Sequence, residues 1–214
     1  EWKASLYSNP VAGQQQTCGN CHTPGRTDVA ADYDGVPLRR VHDHSMIGVD
    51  VAMTPFPGIA DQRAQIELAL NTTVVSEICV VEKEIGCPDD CTIETWIRIS
   101  LENIAAGHAW PSGAAHDRRA WVEVIAYDAE GKVVFQTGVV AEGEPVVARE
   151  DPHLWRLGDF AYDEEGHVAH MFWDVASVES DLLPAPTTTD PLDPAYVDPH
   201  RLRTYKLAIS KPSL

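Results

Sequence analysis

Positive charge is scarce in this sequence: 16 Lys and Arg stand against 33 Asp and Glu, a net charge of −17 at pH 7. Binding to phosphate needs the opposite sign, so nucleic acid and anionic lipid surfaces are excluded as partners. Long apolar runs are missing too, and none approaches the roughly 18 residues of a membrane span. No secretory leader is seen, because Glu1 opens straight into polar and aromatic residues; a processed chain, an excised piece or a cytosolic protein is expected. Ser-His-Asp signatures, phosphate-cradling glycine loops and internal repeats are also lacking. What remains is ordinary globular material. The chain has 214 residues, 44% of them hydrophobic, with six Trp and six Tyr, enough for one core carrying a small extra module.

The five cysteines are more informative. Cys18 and Cys21 stand in TCGNCH, and C-x-x-C-H is the attachment pattern of a c-type haem. The two intervening residues let both sulfurs reach the vinyl groups on one porphyrin edge, and His22 is then drawn under the iron as proximal ligand. At this composition about 0.005 such pentapeptides are expected by chance, so coincidence is a poor rival. A thioredoxin-like pair would need a strand before it and a helix after it, whereas Gly13, Gly19, Pro24 and Gly25 predict an irregular loop. A zinc site would have to borrow Cys87 and Cys91, far outside zinc-ribbon spacing. One covalent haem c is therefore the expected cofactor. Thioether formation follows export, so a periplasmic or extracellular location is expected, and it suits disulfide pairing among Cys79, Cys87 and Cys91. Cys87 with Cys91, closing the CPDDC loop, is the favoured pair, with the odd thiol buried.

For the sixth iron position, RRVHDHSMIGVDVAM offers His42, His44, Met46 and Met53 in a Gly-bearing stretch that is neither strand-like nor helical in period. His44 is the first choice, with His42 and Met46 as alternatives. A second loop, GHAWPSGAAH, brings His108 and His116; His108 is the runner-up ligand, and Trp110 is expected as an apolar wall against the porphyrin. Each also has an ordinary reading. A loop histidine bonds backbone or faces water, a methionine plugs a gap, and Trp110 belongs to a core.

The segments EWKASLYSNPVAGQQQTCGNCHTPG, HDHSMIGVD and ENIAAGHAWPSGAAHDRRAWVEV together resemble the C-terminal part of bacterial multihaem cytochromes c. There a W-x-x-S segment leads into C-x-x-C-H, an H-x-x-x-G loop follows, and a β-sandwich carries GH-x-x-P-[ST]-G. The likeness runs from Trp2 to about Val140. It implies electron transfer by a six-coordinate haem, with His44 matching the histidine of the loop. The relatives carry several haems, and this chain has one C-x-x-C-H.

The second half reads as strands from its residues. TIETWIRISLEN alternates, with Ile93, Thr95, Ile97, Ile99 and Leu101 on one side. RAWVEVIAYDAEGKVVFQTG reads as a hairpin turning at Gly131, and DFAYDEEGHVAHMFWDV as another turning at DEEG. RLRTYKLAI supplies a last strand, and QIELALNTTVVSEICVV one or two more, although Asp61 would cap a short helix over 61–67. The expected fold is mainly β: an immunoglobulin-like sandwich over 61–214, with a Pro-rich strap at 181–200, preceded by a loop-rich haem-binding segment over 1–60. His167 and His170 point to opposite faces of an extended arm, and Asp190, Asp193 and Asp198 lack the order of a calcium loop.

These observations predict an electron carrier, not an enzyme, that meets redox partners through a basic docking patch on their side. Two rivals stand beside it. One is a haem enzyme or sensor with an open iron, peroxidase-like or gas-binding; the other is a haem-bearing docking subunit of a larger extracellular cytochrome assembly.

Overall fold

The computed structural model describes residues 1–9, 15–44, 46–86, 92–146 and 151–212, with backbone alone at 115 and 208–212. Cys87 and Cys91, the favoured disulfide pair, lie outside the described residues. The protein is mainly β. Among the described residues ten strands form antiparallel sheets and two α-helices accompany them. By contact the chain divides into two compact units: Glu1–Val75 with Ile104–His108 and Ala185–Asp198, and Ser76–Asn103 with Ala109–Pro184 and Pro199–Leu214.

The first unit begins with two 3-10 turns, Trp2–Ala4 and Leu6–Ser8. Helix α1, Cys18–His22, follows, where the glycines and proline predict irregular chain. The reason is a cap: the Thr17 hydroxyl accepts from the Asn20 amide while the Asn20 side chain accepts from the Thr17 amide, closing a reciprocal box around a single turn. Strands β1, Gly25–Asp28, and β2, Arg39–His42, pair antiparallel beside it. Helix α2, Ile59–Thr73, replaces the strand expected from QIELALNTT; the strand, β3 (Val74–Ile85), starts only at Val74. Gln, Glu, Leu and Ala favour helix and the Val74–Val75 pair favours strand, so the change falls where the side chains become β-branched. The less exposed residues Ile59, Gln62, Ile66, Ala69 and Thr73 recur every three or four positions, the spacing of one helix face.

In the second unit, β4 (Thr92–Asn103) shows the predicted alternation, burying Ile97, Ile99 and Leu101. It lies between β3 and β10 (His200–Pro212), whose Tyr205 and Leu207 are buried. The run RAWVEVIAY splits at Glu123. Ala120–Val122 (β5) pairs with Trp155–Tyr162 (β8), while Val124–Tyr127 (β6) pairs with Val133–Thr137 (β7) around the predicted turn, where Gly131 has φ +81°. Gly138 causes the split. It takes φ +70°, and a Cβ there would stand 2.2 Å from the Val122 carbonyl, so the returning arm packs tight against the run at that point. The second expected hairpin is shortened to a bridge between Tyr162 and Val168; a 3-10 turn over Phe172–Asp174 follows, and Ser177–Asp181 (β9) takes the edge of β8. The eight strands β3 to β10 thus form three sheets, where an immunoglobulin-like sandwich has two.

The two units differ in their cores. Prolines aside, twelve of the described buried apolar residues lie in the second, Trp155, Leu157 and Leu183 among them, whereas the first has Ile66; its Pro186 is buried as well.

Candidate functional site

Helix α1 presents Cys18 and Cys21 three positions apart and His22 four from Cys18, spacings that share one helix face. Both thiols are free and exposed. Partial burial, and then the neighbouring Cys18, push the Cys21 thiol up. His22 is half-buried, and its Nδ1 lies 2.5 Å from the Ile47 carbonyl oxygen. A carbonyl only accepts, so Nδ1 carries the proton and Nε2 keeps its lone pair for a metal, the arrangement that fixes ligating histidines.

The ring beside His22 is that of His108, with centroids 6.3 Å apart and planes within 11° of parallel. Two imidazoles gripping one ion from opposite sides have bonds of about 2 Å, and each nitrogen is about 1.1 Å from its ring centre, so their centroids fall about 6.2 Å apart; the stacked His22–His108 pair is close to that separation. The loop Ile104–His108 is fixed locally. The Ile104 amide donates to the Thr73 carbonyl at 3.0 Å, and the Tyr7 hydroxyl donates to the Ile104 carbonyl. Gly107 packs where a Cβ would stand 3.0 Å from Trp2 Cδ1. Burial, and then the neighbouring Cys21, hold the Tyr7 phenol above its ordinary range, so it remains a donor.

The other candidates lie elsewhere. His44 is exposed and lines a groove of about 770 Å³ with Arg26, Asp43, Phe56, Asp61 and Gln62. The loop that carries it reaches His22 through Ile47, whose amide also donates to the His22 carbonyl. His42 is exposed, its Nδ1 donating to the Thr23 carbonyl at 2.7 Å. Met46 is 65% exposed with φ +48°, and Met53 is fully exposed. Trp110 belongs to the second unit, where its backbone exchanges two 2.8 Å hydrogen bonds with Leu183. His116 lies against Asp117 and the edge of Phe172. Cys79 is a free thiol exposed on β3, not a buried one.

Asp163, Glu165 and His167 bring three ligand atoms within 4.8 Å of one another. Hairpin chemistry explains the spacing: Asp163 Oδ1 accepts from the amides two and four residues on, and Asp128 does the same in the β6–β7 turn, where Lys132 occupies the place of His167. His167 faces Asp163 and His170 faces Asp117, so the two do not share a site. Asp190 and Asp193 accept from the amides of Leu192 and Ala195.

Sequence reasoning missed the Thr17–Asn20 cap, although T-x-x-N before C-x-x-C-H carried it, and missed the carbonyl of Ile47, which no side-chain pattern announces. Among the described residues no helix is long and apolar enough to cross a membrane. Compared with known proteins, the chain matches no family model, no curated protein and no solved structure.

Proposed function

We propose that this protein is an electron-transfer c-type cytochrome with one haem, stapled by Cys18 and Cys21 and held axially by His22 and His108. The observation that carries the reading is the parallel His22–His108 pair at 6.3 Å, next to two free thiols on one helical turn. The residues fit such a group in two further respects. His22 is oriented by a carbonyl that leaves Nε2 available, and the first unit, with Ile66 and Pro186 as its described buried apolar residues, has a small core to which a porphyrin would add apolar mass. When bound, the haem would supply one-electron exchange, with Cys18, Cys21, His22 and His108 as the residues that would hold it.

The chain's own part is positional. His22 and His108, from segments 86 positions apart in sequence, would hold the iron, and the Ile47 carbonyl keeps the proton of His22 on Nδ1. Occupation of both axial positions favours outer-sphere transfer over substrate chemistry at the metal, and two imidazoles keep the potential below that of a His/Met pair. The net charge of −17 favours partners with a basic docking patch and salt-sensitive encounters in an exported compartment.

Absorption spectra and intact mass test this reading. The purified protein should be coloured, heavier than its polypeptide by one haem, and low-spin in the ferric state. His108→Ala should turn the ferric spectrum high-spin, whereas His44→Ala and His42→Ala leave it low-spin. A colourless protein of polypeptide mass removes the proposal. A low-spin His108→Ala variant beside a high-spin His44→Ala variant returns the sixth position to His44.

A further inference from the structure

Tyr7 connects to both histidine-bearing segments. Its carbonyl accepts from the Gln16 amide at 2.8 Å, one residue before the Thr17 cap of α1, and its hydroxyl donates to the carbonyl of Ile104, where the loop ending in His108 begins. That loop is pressed from the same side: an ideal Cβ on Gly107 would stand 3.0 Å from Trp2 Cδ1, 3.4 Å from Tyr7 Cδ2 and 3.5 Å from Ser5 Oγ. Ser5 is itself buried, 3% exposed, with its hydroxyl donating to the Trp2 carbonyl at 2.7 Å, so the wall Gly107 meets is braced. The Leu6 amide donates to the Pro186 carbonyl at 2.8 Å, which fixes the turn carrying Tyr7 from its other side. A bond from one residue to each arm of a pair sets the gap between the arms, because neither can drift without breaking a hydrogen bond or compressing a packed contact.

We infer that Tyr7 is a positioning residue, which with the Trp2–Gly107 contact sets the spacing of the His22 and His108 imidazoles and so the strength of the second axial bond. The inference rests on the His22/His108 ligand pair proposed above. It extends that pair to residues outside the proposed ligand set: a phenol hydroxyl 97 positions from the carbonyl it holds, and a glycine whose added methyl group would press on the Trp2 ring at 3.0 Å.

Four full-length variants test it, each carrying its covalent haem as judged by mass. Tyr7→Phe keeps the ring and removes only the bond to Ile104. It should give a mixed-spin ferric spectrum and a raised reduction potential, because electron donation by the second imidazole weakens. Gly107→Ala should do the same more strongly by pushing against Trp2. Combining Gly107→Ala with Trp2→Leu, which clears the space, should restore the low-spin spectrum, a rescue that general loss of structure would not give. His108→Ala is the reference and should be fully high-spin. Tyr7→Phe and Gly107→Ala spectra that superpose on the parent, beside a high-spin His108→Ala, overturn the positioning role and leave the ligand pair standing. A low-spin His108→Ala overturns the ligand pair and the positioning role together. If Gly107→Ala fails to fold, Tyr7→Phe alone decides: a parent-like spectrum and potential reject the role, and a mixed-spin spectrum supports it.

Discussion

A backbone carbonyl can only accept, so the 2.5 Å contact between Ile47 oxygen and His22 Nδ1 assigns the tautomer of His22 without any hydrogen being seen. The same accounting applies to Asp151 in the second unit. Burial works against its charge, but bonds from the Gly138 amide, the Thr137 hydroxyl and the His153 amide outweigh burial and hold its carboxyl below the usual range. A carboxyl depressed in the folded state stabilises the fold above its unfolded value of about 3.9, and that contribution is lost as pH falls through the folded value. Asp151→Asn should therefore cost about 1–2 kcal/mol at pH 7, read as a lower denaturant midpoint, and the difference from the parent should shrink below pH 4. A gap that stays constant down to pH 2 would show that the charge plays no part. At this scale the sequence already displayed the thiols and the imidazole of TCGNCH, because covalent reach is a matter of neighbours in the chain. Asp151 gave no such signal, since two of its three partners lie 13 and 14 positions away.

Elements follow local pattern until another segment intervenes. The alternation of β4 and the turn at Gly131 were both legible, since one face was apolar and the turn had a residue free to take positive φ. The break in RAWVEVIAY was not, because it comes from the hairpin's own returning arm, whose Gly138 passes within contact of Val122. Two glycines with similar angles should then respond differently to a methyl group. Gly131 (φ +81°) faces open space and Gly138 (φ +70°) faces the Val122 carbonyl at 2.2 Å, so Gly131→Ala should cost about 1 kcal/mol and Gly138→Ala roughly 3 kcal/mol or more. Chemical denaturation of the two variants checks this, and equal losses would mean that the packing at Gly138 relaxes freely. In α2 the competing I-E-L-A-L alternation gave way to helix propensity, and the strand began where Val74 and Val75 begin.

At the scale of the molecule the two units are unequal in what they bury. Prolines aside, the second contains twelve of the thirteen described buried apolar residues and the first contains Ile66. Small modules with little core are commonly held by metals or disulfides, and under the proposed function the haem would take that part here. If the proposed haem is present, replacing Cys18 and Cys21 by Ala removes its covalent staple. The first unit of that variant should become readily cleaved by protease within residues 1–75, while the strand signal in far-ultraviolet circular dichroism persists. A cleavage pattern unchanged from the parent would show that the first unit stands without the haem.

The chain by itself determined the chemistry within reach of neighbouring residues: two thiols and an imidazole at fixed spacing, strands from alternation, an acidic surface from composition. Tertiary structure decided which ring meets His22. Residues 22 and 108 are brought together by bonds from Tyr7 and Thr73 and by a glycine wedged against Trp2, and no local period encodes a contact across that separation. The nearer loop, with His44, spends its contact on a carbonyl instead.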